Sequence, residues 1–352
     1  MKNITKLLLA AGFMSLMGAA QAQNGTPPAD GQGATTGGRA PRATWAPGYL
    51  EPGTPQPPYV SADTPQGTGP HPAIMATEPG AEEFVAYYPA DLAALGNKKL
   101  PTVMWINGSC TYLGNKFRHF LTEIASHDYF VLAGGPMGKP DDGKSETIGI
   151  GSNNPLQNPE APPAPAAAPA PGRAANKLVT HDQISQGIDW AIAENNRKGS
   201  KFYHKLDTKN IAVMGQSCGG GVAASFHTDP RVKTLGLWSG AVNRVEGIEK
   251  WGSKPTLMLG GDPKYDVVFY MNMKMHETVR DQPGNKLFYA WRNNMTHLGT
   301  YRQTNGGELS PIAVSWLDWQ LKGDKAASGM FTGKACGLCT NVHWHVLDRL
   351  AK

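Results

Sequence analysis

The stretch that most constrains this chain is residues 215–220, where the sequence reads Gly-Gln-Ser-Cys-Gly-Gly. An apolar run at residues 210–214 predicts a buried strand before it, and residues 221–226 predict the start of a helix after it. A G-x-S-x-G pattern in this setting places its serine on a strained turn, and its glycines are needed because a Cβ would strike neighbouring backbone. We therefore predict that Ser217 is a nucleophile at the end of a strand.

Apolar strands and amphipathic helices alternate along the chain. Because the strands are almost uniformly apolar, they predict an α/β fold in which a mostly parallel sheet is covered by helices on both faces. Predicted strands lie at residues 84–89, 100–106, 129–133, 210–214, 234–238, 256–259 and 286–290, and predicted helices lie near residues 117–124, 180–192, 221–226 and 310–319.

The N-terminal segment predicts export. Residues 1–22 combine Lys2 and Lys6, a short apolar run and a small-residue cleavage pattern, which is typical of a secretory signal peptide. The mature chain is then expected to begin near Gln23, and we expect a periplasmic or extracellular protein. Residues 23–70 are rich in Pro, Gly and Thr and predict an extended or disordered leader.

The globular domain is expected at residues 71–329. A Pro/Ala-rich stretch at residues 156–175 predicts a surface insertion that interrupts this domain without dividing it. Residues 330–352 differ in composition and are expected to form a Cys-containing tail packed on the core.

Charge and hydropathy exclude several classes of partner. The formal net charge of +5 is small and scattered, and no cluster of basic residues is interleaved with aromatic ones, which argues against nucleic acid. No apolar stretch reaches the length of about 18 residues that a spanning helix needs, so stable membrane insertion is not expected. We expect a monomer.

Four cysteines in an exported chain favour disulfides over free thiols. Cys110 follows a predicted strand near the nucleophile and Cys218 follows the nucleophile directly, whereas Cys336 and Cys339 are close in sequence. The favoured pairing is Cys110 with Cys218 and Cys336 with Cys339.

A serine nucleophile needs an imidazole base and a carboxylate that orients it, and both have candidates after Ser217 in the chain. His297 lies in a loop that follows the predicted strand at residues 286–290. Asp262 and Asp266 both lie just past the strand at residues 256–259. Asp262 is also placed to stabilise the turn at residues 260–263, so the residues alone leave both aspartates open.

Two backbone N–H groups are expected to form an oxyanion hole. The residue after the nucleophile normally supplies one of them, here Cys218. The loop after an earlier strand supplies the other, and Ser109 in the loop at residues 107–110 is the candidate.

In combination, residues 100–105, Asn107-Gly108, residues 124–127, the turn at Ser217 and His297 resemble the dienelactone-hydrolase-like branch of the α/β-hydrolases, which includes cutinase-like polyester hydrolases. The resemblance covers roughly residues 71–325. It implies an α/β-hydrolase fold and hydrolysis of carboxylic esters through an acyl-enzyme, without a metal or cofactor.

The resemblance also assigns individual roles. It implies Ser217 as nucleophile, His297 as base and Asp266 as acid, with Asp262 as the alternative acid. Trp238 matches a position where polyester hydrolases place an aromatic residue that contacts substrate, although a core position is equally compatible with a tryptophan at a strand end. The substrate is then a small ester or a polyester.

Two other classes of protein remain as alternatives. A non-catalytic envelope-binding or polymer-binding protein with the same fold would lack reactivity at the serine. A zinc or redox protein would use Cys336, Cys339, His343 and His345, but only one residue separates the two histidines, which is shorter than the usual spacing of a zinc site. We therefore expect a disulfide there and no metal.

Overall fold

The computed structural model of the protein describes residues 61–139, 177–240 and 247–348. Its strands are β1 (Ala73–Ala76), β2 (Phe84–Pro89), β3 (Leu100–Ile106), β4 (Phe130–Gly134), β5 (Leu206–Gln216), β6 (Val232–Trp238), β7 (Thr256–Gly260), β8 (Leu287–Arg292) and β9 (Trp344–Asp348). Its α-helices are α1 (Arg118–Ser126), α2 (His181–Asn196), α3 (Cys218–Ala224), α4 (Phe269–Val279), α5 (Leu309–Leu317) and α6 (Gly337–Thr340).

All nine strands form one mixed sheet in the order β1-β2-β4-β3-β5-β6-β7-β8-β9. The six strands from β4 to β8 in that order are parallel, and the outer strands β1, β2 and β9 pair antiparallel. The predicted α/β class and mostly parallel sheet are confirmed. Because the carboxyl ends of parallel strands share one edge, the loops after β3, β5, β7 and β8 meet there.

Successive side chains of the central strands point to opposite faces of the sheet, and they form two separate cores, one on each face. In β3, Val103 and Trp105 belong to one core, while Met104 and Ile106 belong to the other. Helices α1 and α5 pack on the first core, and α2 and α4 pack on the second. Burial on both faces explains why these strands read as continuous apolar runs.

The start of α2 follows the predicted cap. The Thr180 hydroxyl accepts a hydrogen bond from the Gln183 N–H at 3.3 Å, which satisfies one of the free N–H groups of the first turn. This helix enters the second core through Ile184 and Ile188, which are fully buried.

Both ends of the described chain contact the domain. Residues 61–70 belong to the predicted leader, and there the Thr68 N–H donates to a Glu123 carboxylate oxygen at 2.8 Å. The tail is predicted to be an appendage packed on the core; its Phe331 and Leu338 lie in the first core, and its residues 344–348 form β9, an edge strand of the sheet beside β8. The signal peptide, the leader before residue 61 and the Pro/Ala-rich insertion lie outside the described residues.

In the described ranges, no helix combines the length and the apolar character that crossing a bilayer requires.

One partly buried histidine gives a pH-dependent prediction. Burial, reinforced by the charge of Arg118, lowers the pKa of His119 from 6.5 to about 4. The unfolded chain therefore binds this proton at a higher pH than the folded chain does. The stabilisation linked to neutral His119 is complete above pH 6.5 and is lost as the pH falls towards 4.

The free energy of unfolding can be measured with urea at about pH 7.5 and at about pH 5. Between these two pH values it should fall less in His119→Gln than in the wild type. His343→Gln, which changes an exposed histidine, serves as the control and should follow the wild type. Equal losses in both variants would contradict this assignment.

Candidate active site

The turn that carries Ser217 connects the end of β5 to the start of α3. Ser217 has φ 55° and ψ −123°, a conformation that L-residues rarely adopt and that needs support from its surroundings. A Cβ on Gly215 would lie 2.3 Å from the Gly219 carbonyl oxygen, and one on Gly219 would lie 2.2 Å from the Ile106 carbonyl oxygen. Both glycines are therefore required by close backbone contacts, as the motif predicted.

His297 lies in the loop after β8 and contacts both other members of the predicted triad. Its Nε2 lies 2.7 Å from the Ser217 Oγ, and its Nδ1 lies 2.8 Å from the Asp266 Oδ1. The ring is almost completely buried. The backbone N–H of His297 donates to the Tyr265 carbonyl at 3.3 Å. The three side chains thus form one hydrogen-bonded chain from a buried carboxylate to a partly exposed hydroxyl.

The Asp266 carboxylate is buried but well supplied with hydrogen-bond donors. The Gly261 N–H donates to its Oδ2 at 2.7 Å, and the Val268 N–H donates to its Oδ1 at 3.1 Å. Burial by itself would raise the pKa of Asp266, but the charge and hydrogen bond of His297, the Gly261 N–H and a hydrogen bond from Ser239 outweigh it and lower the pKa. Asp266 is therefore ionised at neutral pH and can stabilise a positive charge on His297.

The alternative acid, Asp262, has a different role in the same turn. Its Oδ2 accepts from the Asn294 N–H at 2.8 Å and its Oδ1 accepts from the Lys264 N–H at 2.9 Å. The contact with Asn294 ties the loop after β7 to the loop after β8. Asp262 thus holds together the two loops that bring Asp266 to His297.

The two candidate oxyanion donors lie on two segments that the disulfide between Cys110 and Cys218 joins beside the nucleophile. Ser109 lies in a short 3-10 helix at Gly108–Cys110 and lines the pocket beside Ser217. Cys218 is the first residue of α3, so its N–H is one of the N–H groups that a helix leaves without an internal acceptor.

The sequence pattern assigned no role to Gln216, although this residue occupies the second position of the G-x-S-x-G motif. It is 3% exposed, and its Nε2 donates to the His297 carbonyl at 2.8 Å. The Gln216 Oε1 lies so close to Gly108 that a Cβ added to Gly108 would be only 2.0 Å from this oxygen. Gln216 therefore contacts both the loop that carries the base and the loop before the oxyanion donor. A polar residue at the end of an otherwise apolar strand was the available signal.

The pocket beside Ser217 combines apolar and cationic walls. Phe117 and Leu298 supply apolar surface, and Lys116 and Arg302 supply positive charge. A carbonyl compound placed there would lie next to the Ser217 hydroxyl and the His297 ring.

Trp238, for which the sequence left a substrate contact and a core position equally open, does not line that pocket. It is 1% exposed and lies in the first core, where its ring centroid is 5.3 Å from that of Phe120 in an edge-to-face arrangement. The alternation of β6 points its side chain towards α1. We assign Trp238 to packing.

The four cysteines form the two favoured disulfides. Cys110 pairs with Cys218 and Cys336 pairs with Cys339, with Cα–Cα distances of 5.3 Å and 4.8 Å. In the tail, the His345 ring stacks on Trp291, and its Nε2 lies 2.9 Å from the Asn293 Oδ1. Within the described ranges, no three His, Cys, Asp or Glu side chains are grouped so as to hold a metal ion.

Comparison with known protein families and with curated proteins gives no match to this chain.

The contacts of Gln216 predict a selective effect on turnover. In Gln216→Leu, the His297 carbonyl loses its donor inside the site, which costs on the order of 1–3 kcal/mol. If the site hydrolyses esters, as the sequence predicts, and the cost falls on the placement of His297, kcat should drop about tenfold or more. Steady-state kinetics on the purified variant measures this.

The matched control is Gln183→Leu. Gln183 is also buried, its Nε2 donates to the Glu83 carbonyl at 2.9 Å, and neither residue lines the pocket beside Ser217. The control should lower the melting temperature while leaving kcat unchanged. A Gln216 variant that loses stability but keeps the wild-type kcat would contradict the positioning role.

Proposed function

We propose that this protein is a serine hydrolase of the α/β-hydrolase fold that cleaves carboxylic esters. The observation that carries the proposal is the continuous hydrogen-bonded chain Ser217, His297 and Asp266 beside an open pocket. Additional support comes from the order Ser, Asp, His along the chain and from the turn between β5 and α3, both of which are characteristic of that fold.

In the acylation step, the Ser217 Oγ attacks the ester carbonyl carbon while the His297 Nε2 accepts the hydroxyl proton. Asp266 stays ionised and stabilises the imidazolium, since it faces the Nδ1 at hydrogen-bonding distance. His297 then donates its proton to the leaving alcohol, and the acyl-enzyme remains on Ser217. Water attacks the acyl-enzyme in the second half, with His297 again as base.

The negative charge that develops on the carbonyl oxygen is stabilised by the backbone N–H groups of Ser109 and Cys218. Each such donor contributes about 3 kcal/mol to a transition state of this kind. Both small esters and polyesters fit this chemistry, because every step involves only the ester group and its immediate surroundings.

Export is part of the proposal. Two disulfides fit an oxidising compartment. The sequence pattern of residues 1–22 is that of a signal peptide, which directs export through the secretory pathway. Periplasmic or extracellular esters are then the available substrates.

The direct test is hydrolysis of p-nitrophenyl acetate and butyrate by the mature protein beside Ser217→Ala. We expect wild-type turnover and a loss of about 10³-fold or more in the variant, because the nucleophile is removed. Reaction with a fluorophosphonate, followed by mass spectrometry, should label Ser217 in the wild type. A wild type that is inactive and unlabelled would favour a non-catalytic binding protein.

The two aspartates provide a second test. Asp266→Asn removes the charge opposite the His297 Nδ1 and should lower kcat by about 10³–10⁴-fold. Asp262→Asn is the matched control. Its single carboxamide oxygen can accept from only one of the Asn294 and Lys264 N–H groups, which weakens the turn but leaves the Asp266 carboxylate opposite His297, so kcat should stay within about tenfold of the wild type. The reverse ranking would assign the acid to Asp262.

A further inference from the structure

The disulfide between Cys110 and Cys218 joins the two segments that carry the proposed oxyanion donors. Ser109 directly precedes one cysteine, and Cys218 is itself the other donor. We propose that this disulfide is a positioning element for the oxyanion hole, so that full turnover requires its oxidised form. The inference rests on the proposed ester hydrolysis and adds a redox requirement to it.

The backbone on both sides of the disulfide is held in a strained conformation. Ser109 has φ 56°, Cys110 has φ 47° and Ser217 has φ 55°, and none of them is a glycine. Non-glycine residues rarely adopt positive φ and keep it only where the surroundings impose it. A covalent bond from Cys110 to the first residue of α3 is such a restraint.

Two hydrogen bonds fix the ends of the Ser109 loop without joining it to α3, whose Gly219 packs closely on the backbone of Ile106 and Asn107 just before the loop. The Asn107 side-chain amide donates to the Leu113 carbonyl at 2.7 Å, and the Val179 N–H donates to the Cys110 carbonyl at 2.9 Å. These bonds are independent of the cysteine sulfurs. We therefore expect the loop to remain folded after reduction, while the Ser109 N–H loses its fixed position relative to Cys218.

A small dithiol can reach this bond from one side. Cys110 is 3% exposed, whereas Cys218 is partly exposed beside the pocket. A dithiothreitol thiolate attacks the Cys218 Sγ, and the bond to Cys110 breaks with release of the Cys110 thiolate. The second thiol of the reagent then closes its own disulfide and releases Cys218. The reagent loses two electrons, and both cysteines end as thiols after protonation.

The experiment uses the mature protein with Cys336→Ser/Cys339→Ser as its background, because only the Cys110–Cys218 disulfide then remains. This background should keep the wild-type kcat, since the tail disulfide lies outside the pocket. Treatment with dithiothreitol, with thiols counted by alkylation and mass spectrometry, should lower kcat for p-nitrophenyl butyrate by about 10- to 100-fold. KM should change less than about twofold, and reoxidation should restore kcat.

A second measurement separates loss of the oxyanion hole from loss of the fold. An alkyl boronic acid forms a tetrahedral adduct on the serine, so its inhibition constant should rise by about the same factor as kcat falls. Far-UV circular dichroism should remain unchanged. Cys110→Ser/Cys218→Ser in the otherwise native chain should reproduce the reduced form, because these substitutions leave the backbone N–H groups in place.

The outcomes are distinguishable from failure of the proposed function. If the wild type hydrolyses the ester in a Ser217-dependent way and reduction leaves kcat unchanged, the positioning role is overturned while the function stands. A loss of kcat accompanied by unfolding also overturns it, since the disulfide is then only structural. An inactive wild type overturns the function and this inference together.

Discussion

The structure depends on how closely the backbone after β5 can approach its neighbours. The start of α3 passes the end of β3 so closely that a single Cβ on Gly219 would overlap the Ile106 carbonyl. The turn at Ser217 lies directly before this contact, and Ser217 lines the pocket at that edge of the sheet. Because β7 and β8 are parallel neighbours on the same edge, their loops bring Asp266 and His297 to the same point.

The order within the site is held mainly by backbone groups. N–H groups of Gly261 and Val268 fix the Asp266 carboxylate, and the Gln216 amide fixes the carbonyl of His297. A carboxylate with several donors stays charged although it is buried. The protein itself therefore holds the His297 ring in one orientation, which in the proposed hydrolysis is the condition under which electrostatic stabilisation is most effective.

Much of this arrangement could be predicted from the sequence, and the omissions have physical reasons. The central strands are buried on both faces, so their continuous apolar runs predicted them clearly. Strands β1 and β9 lie at the edges of the sheet, where one face is only partly buried, and the sequence pattern did not predict them. Helix α4, Phe269–Val279, was missed because polar residues interrupt its apolar face. Sequence distance could not separate Asp262 from Asp266, since only the path of the turn decides which carboxylate faces His297. For Trp238, the decisive fact was which face of β6 it occupies.

The disulfide between Cys110 and Cys218 also spans 108 positions of the chain, including residues 140–176. A protease that cuts anywhere between the two cysteines leaves two fragments that are still one covalent molecule. Ser217 and the loop that carries Ser109 then stay at a high effective concentration with respect to each other. A serine hydrolase of the proposed kind would keep both segments of its site in one covalent molecule after such a cut.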